Sequence, residues 1–299
     1  MKPRTRLQRW LTDPLEAALL WLGLALFRML GAERASNFGG RLARTVGPLL
    51  PWSERARRNL RFVMPELSKA EIEEIVRSTW QNSGRVFGEM TYMEHMVETG
   101  RAFALPEDVA VLRAAKEGER PIICVGAHLS NFELVSAVAA SYGFPLTAVY
   151  RAPNNPIVDR MWRRLRPTTE MLPKGAEGAR GAMRALSKGG NLALLVDQKF
   201  NEGIAVPFFG KPAMTTPAPA HFAARFKAPI ILGWVERLGP ARYQVRAELV
   251  EPVEPKGRSV AERNAAATAT TAKISKRLEH HIRPNLADWF WLHRRWGKL

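Results

Sequence analysis

The chain has a single cysteine, Cys124, among 299 residues. One thiol excludes an intramolecular disulfide framework and a cysteine-based zinc cluster, and it fits a reducing compartment. Long hydrophobic runs are missing too. Residues 17–27, between Glu16 and Arg28, form an uncharged stretch of eleven, short of the roughly 20 that span the hydrocarbon of a bilayer. No fixed-period repeat is present, which excludes solenoid architectures. The absence of G-x-S-x-G excludes a serine nucleophile elbow, and no H-E-x-x-H or Cys/His spacing asks for a metal. Acidic residues are the remaining deficit: 28 Asp plus Glu face 45 Lys plus Arg, a formal charge of +17. A surface that basic attracts polyanions such as nucleic acid, anionic lipid headgroups, phosphorylated substrates or an acidic protein.

Hydrophobic residues make up 46% of the chain, enough for a sizeable core and too many for a disordered tail. The N-terminus starts with Lys2, Arg4, Arg6 and Arg9 and continues as LEAALLWLGLALF from Leu15 to Phe27. With Trp10 and Trp21 as interfacial anchors, residues 10–31 read as a membrane-attached segment that crosses the bilayer or lies in its surface. No small-x-small cleavage site follows, so a cleaved signal peptide is disfavoured. A buried core helix is the alternative. The division expected is a membrane anchor over 1–33 and a catalytic domain over 34–299, helical up to about residue 118.

Ser68 and Glu71 have capping-box spacing, and apolar residues recur behind them at helical intervals, so 69–97 reads as one long amphipathic helix. Texture changes near Pro121. PIICVGAH, LTAVYR and NLALLVDQ read as buried parallel strands separated by helices at 131–142, 155–166 and about 178–190. An irregular loop is expected over 199–214, then a helix at 217–227, strands PIILGWVERL and RYQVRAELVEP, and a helix near 259–282. Strands alternating with helices predict an α/β sandwich with a mostly parallel central sheet.

The feature that carries chemistry is Gly126-Ala-His128-Leu-Ser-Asn131-Phe-Glu133. A His and an acid five positions apart lie about 140° apart on a continuous helix and do not meet. They can meet if His128 ends the strand and Glu133 sits in the first helical turn. The carboxylate then accepts from the imidazole Nδ1, leaving Nε2 as general base. A structural His capping the helix is the plainer reading. Arg151 and the pair Asp197-Gln198 also end predicted strands at that edge, where open α/β sheets place ligands. An Arg there can fork onto phosphate or stabilise thioester charge; a surface salt bridge is the alternative. Gly175, Gly178 and Gly181 open the helix that carries Arg180, which suits either phosphate binding or close packing. Cys124 reads as inert packing, the arginines at 160–166 and Arg294-Arg295 as solvated faces, and His280-His281 as a helix-end pair.

GAHLSNFEL resembles the His-x4-acid motif of glycerolipid-type acyltransferases, in the form found in the bacterial lipid A late acyltransferases. WQNSGRVFGE at 80–89, VYR at 149–151, the stretch from KGAEGAR to LVDQ, VPFFGKPAMTT at 206–216 and the ending WFWLHRRWGKL resemble further blocks of that family, in order. Lys199 departs from it, standing where an acid is common. The resemblance implies acyl transfer from acyl-acyl carrier protein to a hydroxyl of an anionic lipid A precursor, at the cytoplasmic side of a bacterial inner membrane. It implies His128 and Glu133 as the catalytic dyad, with Asn131, Arg151, Gly178, Arg180, Asp197 and Gln198 as substrate-binding residues. No metal or bound cofactor is implied, since the donor's phosphopantetheine arrives on the carrier protein. An acyltransferase acting on another lipid, such as a glycolipid mannoside, an ornithine lipid or a lysophospholipid, is the nearest alternative. Nucleic-acid binding is a remote one: no helix-turn-helix, RNP-like or zinc-finger pattern accompanies the charge.

Overall fold

The computed structural model describes residues 6–117 and 120–297, with side chains from residue 12 onward. Lys2 and Arg4, the side chains of Arg6, Arg9 and Trp10, and the terminal Lys298 and Leu299 lie outside the described residues. Helices come first: α1 (Arg6–Leu30), α2 (Ala32–Val46), α3 (Ser53–Val63), α4 (Lys69–Glu89) and α5 (Met93–Glu98). Then β1 (Ala102–Ala104), α6 (Pro106–Lys116), β2 (Ile123–Gly126), α7 (Leu134–Ser141), β3 (Leu146–Tyr150), α8 (Pro156–Arg164), β4 (Glu170–Pro173), α9 (Ala176–Ser187) and β5 (Asn191–Leu195) follow. The chain continues through β6 (Ile204–Phe208), β7 (Lys211–Thr215), α10 (Ala218–Phe226), β8 (Ile230–Gly239), β9 (Arg242–Val250) and α11 (Val260–Ile282).

Seven strands form one sheet in the order β1-β9-β8-β2-β5-β3-β4. All its pairings are parallel except β8 with β9, so the α/β sandwich with a mostly parallel sheet is the fold observed. Strand β2 is central and wholly buried. Its side chains alternate between faces, as a pleated strand requires. Ile123 and Val125 join the larger core with α3, α4, α9, α10, α11 and the C-terminal tryptophans. Ile122 and Cys124 face the other way, toward Ala139, Phe144 and Leu146.

Two segments differ from the sequence reading. The helix expected over 69–97 starts at the Ser68 capping box but breaks after Glu89 into a 3-10 turn, Met90–Tyr92, before α5. Glu89 is held at that point by buried partners, and the Tyr92 hydroxyl donates back to the carbonyl of Arg28 at the end of α1 (2.6 Å). The expected loop 199–214 contains the β6–β7 hairpin. Its two-residue turn, Phe209-Gly210, has positive φ at both positions (50° and 70°), the geometry of hairpin turns that follow strand twist. Pro207 and Pro212 sit opposite each other in it. Proline weakens a strand signal but is tolerated in a two-stranded ribbon.

Candidate active site

Gly126 of β2 is in register with Leu195 of β5, so two residues further on His128 and Asp197 come together at the C-terminal ends of adjacent parallel strands. The His128 amide donates to Asp197 Oδ2 (2.9 Å), and His128 Nδ1 lies 2.9 Å from Asp197 Oδ1. The indole of Trp289 donates to Oδ2 as well (2.8 Å). With Nδ1–H given to the carboxylate, Nε2 carries the lone pair. The Gln198 amide nitrogen stands 3.3 Å from it. The edge of the Phe132 ring fixes one side of the imidazole.

Burial works against charge on both partners, and their mutual attraction outweighs it. Burial alone would raise Asp197, but the field and hydrogen bond of His128 hold its carboxyl well below the usual carboxylate range. Burial likewise disfavours His128⁺, yet Asp197, with a further contribution from Glu133, lifts its pKa above 6.5. Nearby His293 also feels the Asp197 charge, but burial outweighs it and pushes the His293 pKa down to about 4, leaving the ring neutral.

Glu133 occupies the N-cap position of α7. Its carboxylate is not the partner of Nδ1. It accepts from two nitrogens of the Arg166 guanidinium, Nε to Oε2 at 2.6 Å and Nη2 to Oε1. Arg166, expected on a solvated face, is buried, and it stacks over the Trp162 ring. Asn131 is fully buried and faces away from the cavity described below, donating to Glu89 Oε2 (3.0 Å). Glu89 also accepts from Ser36 (2.6 Å), Arg237 (2.7 Å) and the Tyr243 hydroxyl. Asn131 therefore pins the His128 loop to a hub that joins α2, α4, β8 and β9.

His128 opens onto a cavity of about 930 Å³, within the size range of ligand sites. Arg151, Gln198, Lys199, Lys174 and Glu133 line its polar part. Of the expected site residues, Arg180 is exposed and Gly178 is buried, and neither is among the cavity's lining residues. A Cβ on Gly178 would stand 1.9 Å from the carbonyl oxygen of Pro173, so close packing of α9 on β4 accounts for that glycine. Cys124 borders the cavity's apolar depth, and burial pushes its thiol up to about 12, so it stays protonated.

The sequence reading missed three elements of this site. Asp197 was expected at the site but not as the partner of His128; its position two residues past a strand paralleling β2 was the available signal. Arg166 lies 33 positions from Glu133, with no local pattern linking the two. Arg295, expected in solvent, is 1% exposed and donates to the Met214 carbonyl (2.8 Å) and the Thr215 hydroxyl (2.6 Å), tying the aromatic C-terminus to the β6–β7 hairpin. Arg294 is exposed as expected.

Among known proteins, the chain is 26% identical over 293 residues to the lipid A biosynthesis palmitoleoyltransferase of Escherichia coli K12, covering 93% of this chain and 90% of that one. It is 26% identical over 254 residues to the lipid A biosynthesis lauroyltransferase of the same organism, covering 80% and 76%. A solved structure, the 1-acyl-sn-glycerophosphate acyltransferase PlsC from Thermotoga maritima, aligns with TM-score 0.35 and 15% identity over 82% of this chain and 99% of that one. The family model for bacterial lipid A biosynthesis acyltransferases matches residues 7–298. With nearly its whole length matched, the chain belongs to the bacterial lipid A biosynthesis acyltransferase family and is an acyltransferase.

Proposed function

We propose that the protein transfers a fatty acyl chain from acyl-acyl carrier protein to a hydroxyl of a lipid A precursor, with His128 as general base. The observation that carries this reading is the His128–Asp197 pair at the mouth of a deep cavity. The acceptor hydroxyl takes the place of the Gln198 amide at Nε2 and gives its proton to His128. The oxygen attacks the thioester carbonyl, the carbon–sulfur bond breaks, and the departing phosphopantetheine thiolate recovers the proton. Asp197 fixes the imidazole tautomer and compensates the imidazolium, as an orienting carboxylate does for a histidine base. Glu133 adds its field from further away and holds Arg166 at the cavity wall. Arg151, Lys174 and Lys199 supply positive charge where a phosphorylated lipid and an acidic carrier protein approach. The reaction so drawn uses no enzyme nucleophile, metal or bound organic cofactor.

The site of action proposed is the cytoplasmic face of the inner membrane. No helix among the described residues is long and apolar enough to cross a membrane. Helix α1 packs against the body through Ala17, Leu24 and Phe27 and exposes Leu15, Leu19, Leu22, Leu26 and Met29 on its outer side. Helix α2 continues the patch with Phe38, Leu42 and Val46, and Leu49 and Trp52 extend it. Such a face, on a strongly basic protein, suits burial at the headgroup–acyl boundary of an anionic membrane. The anchor expected over 1–33 is thus proposed as an interfacial surface shared by α1 and α2.

The test is a mass-spectrometric assay offering acyl carrier protein thioesters and a tetra-acylated lipid A precursor. A mass gain of one acyl chain supports the reading. Transfer only to lysophospholipids or aminolipids would replace the acceptor, and no transfer to any lipid would refute the reading.

A further inference from the structure

The cavity exists because one face of the sheet is built from small residues. Across adjacent strands, Ala148, Ala193 and Cys124 stand in register, on β3, β5 and β2. Gly126, on the same face of β2, and Gly233 of β8 line the cavity one step nearer its mouth. Helix α7 lies over that trough and contributes Val135. Cys124 lies four residues below His128, roughly 13 Å at the rise of an extended strand.

Behind this depth is a second void of about 30 Å³, lined almost wholly by apolar groups including Leu112, Ile122 and Phe144. Cys124, Val135 and Gly233 border both spaces. They form a thin partition: a Cβ on Gly233 would meet Val135 Cγ1 at 3.2 Å and Cys124 Sγ at 3.4 Å. On the far side, Asp108 and Arg246 also line the void and are paired at 3.1 Å.

We propose that Cys124, Val135 and Gly233 are the end wall of the acyl-chain site and set the longest chain the enzyme accepts. This rests on the acyl-donor reading above. The methyl end of a chain of the preferred length abuts the wall. A longer chain must displace Val135 or leave methylenes outside, whereas the void behind would admit it once the wall is trimmed. The thiol of Cys124 takes part by its volume alone.

Two variants move the wall in opposite directions. Val135→Ala joins the cavity to the void and should lengthen the preferred chain by about one or two carbons. Gly233→Ala thickens the partition and should shorten it. The ratio of kcat/KM between neighbouring chain lengths should change at least about ten-fold, the usual worth of a methylene in an apolar pocket. A second readout needs no acceptor. Non-transferable thioether analogues of acyl-phosphopantetheine, from octyl to octadecyl, should raise Tm progressively up to a limiting length. That limit should rise in Val135→Ala and fall in Gly233→Ala. If it exists in the wild type but stays put in both folded variants, the wall lies elsewhere and the proposal is wrong. If the wild type shows neither transfer nor any length-dependent stabilisation, the acyl-donor reading itself falls, and the wall with it.

Discussion

His128 and Asp197 are joined twice, by the backbone amide to one carboxylate oxygen and by Nδ1 to the other, each at 2.9 Å. The pairing follows from strand register: both residues stand two positions past the matched pair Gly126 and Leu195. A single carboxylate thus fixes the position of the loop and the tautomer of the ring. Trp289, from the C-terminal aromatic segment, holds that carboxylate in turn.

The pH profile should report this arrangement. General-base catalysis needs neutral His128, so kcat/KM should rise with pH through a midpoint above 6.5, the direction in which His128 is shifted. In Asp197→Asn the carboxylate that opposes the effect of burial is gone. The midpoint should then move to lower pH while the plateau rate falls. Glu133→Gln should move the midpoint the same way but less, since Glu133 makes the smaller contribution. A larger displacement in Glu133→Gln than in Asp197→Asn would reverse the assignment.

Loss of Glu133 should be felt first in stability. Arg166 is buried; its Nε and Nη2 end on Glu133, and Nη1 donates to the Trp162 carbonyl. Removing one partner of a buried ion pair typically costs about 3–5 kcal/mol, because the remaining charge is uncompensated. Glu133→Ala should therefore lower the urea midpoint sharply. Replacing both residues with apolar groups of similar volume should restore much of the loss. Equal stability of wild type and Glu133→Ala would show that Arg166 finds another partner.

Membrane attachment should depend on the outer face of α1 rather than on its packed face. Leu19→Glu with Leu26→Glu changes two residues that are 61% and 50% exposed, so Tm should hardly move. Partition onto vesicles of anionic phospholipid, read by co-sedimentation, should fall several-fold. Unchanged partition in that double variant would place the membrane contact elsewhere.

Much of the scaffold was legible in the sequence because its signals are local. Short apolar runs marked β2, β3 and β5, and the capping box at Ser68 marked where α4 begins. The position of His128 at a strand end followed from the same pattern. Its partner did not. Glu133 is near in sequence and Asp197 is 69 positions away, and only the order of strands in the sheet brings the latter close. The same holds for Glu89, whose contacts reach back to Ser36 and forward to Tyr243. Composition also misled where it treated arginines as solvated. Arg166 and Arg295 are buried because a carboxylate and two backbone carbonyls, respectively, meet their guanidinium groups. Neither set of partners is visible in a linear pattern.

The central claim is that His128 takes the proton from the acceptor hydroxyl. It is tested most directly by single-turnover acyl transfer with wild type and His128→Ala, each shown to be folded by its thermal transition and supplied with saturating donor. Loss of a general base should slow the transfer step by about 10²–10⁴-fold, with donor binding unchanged. Transfer by folded His128→Ala at near the wild-type rate would contradict it and move the search for the base to another group at the cavity mouth.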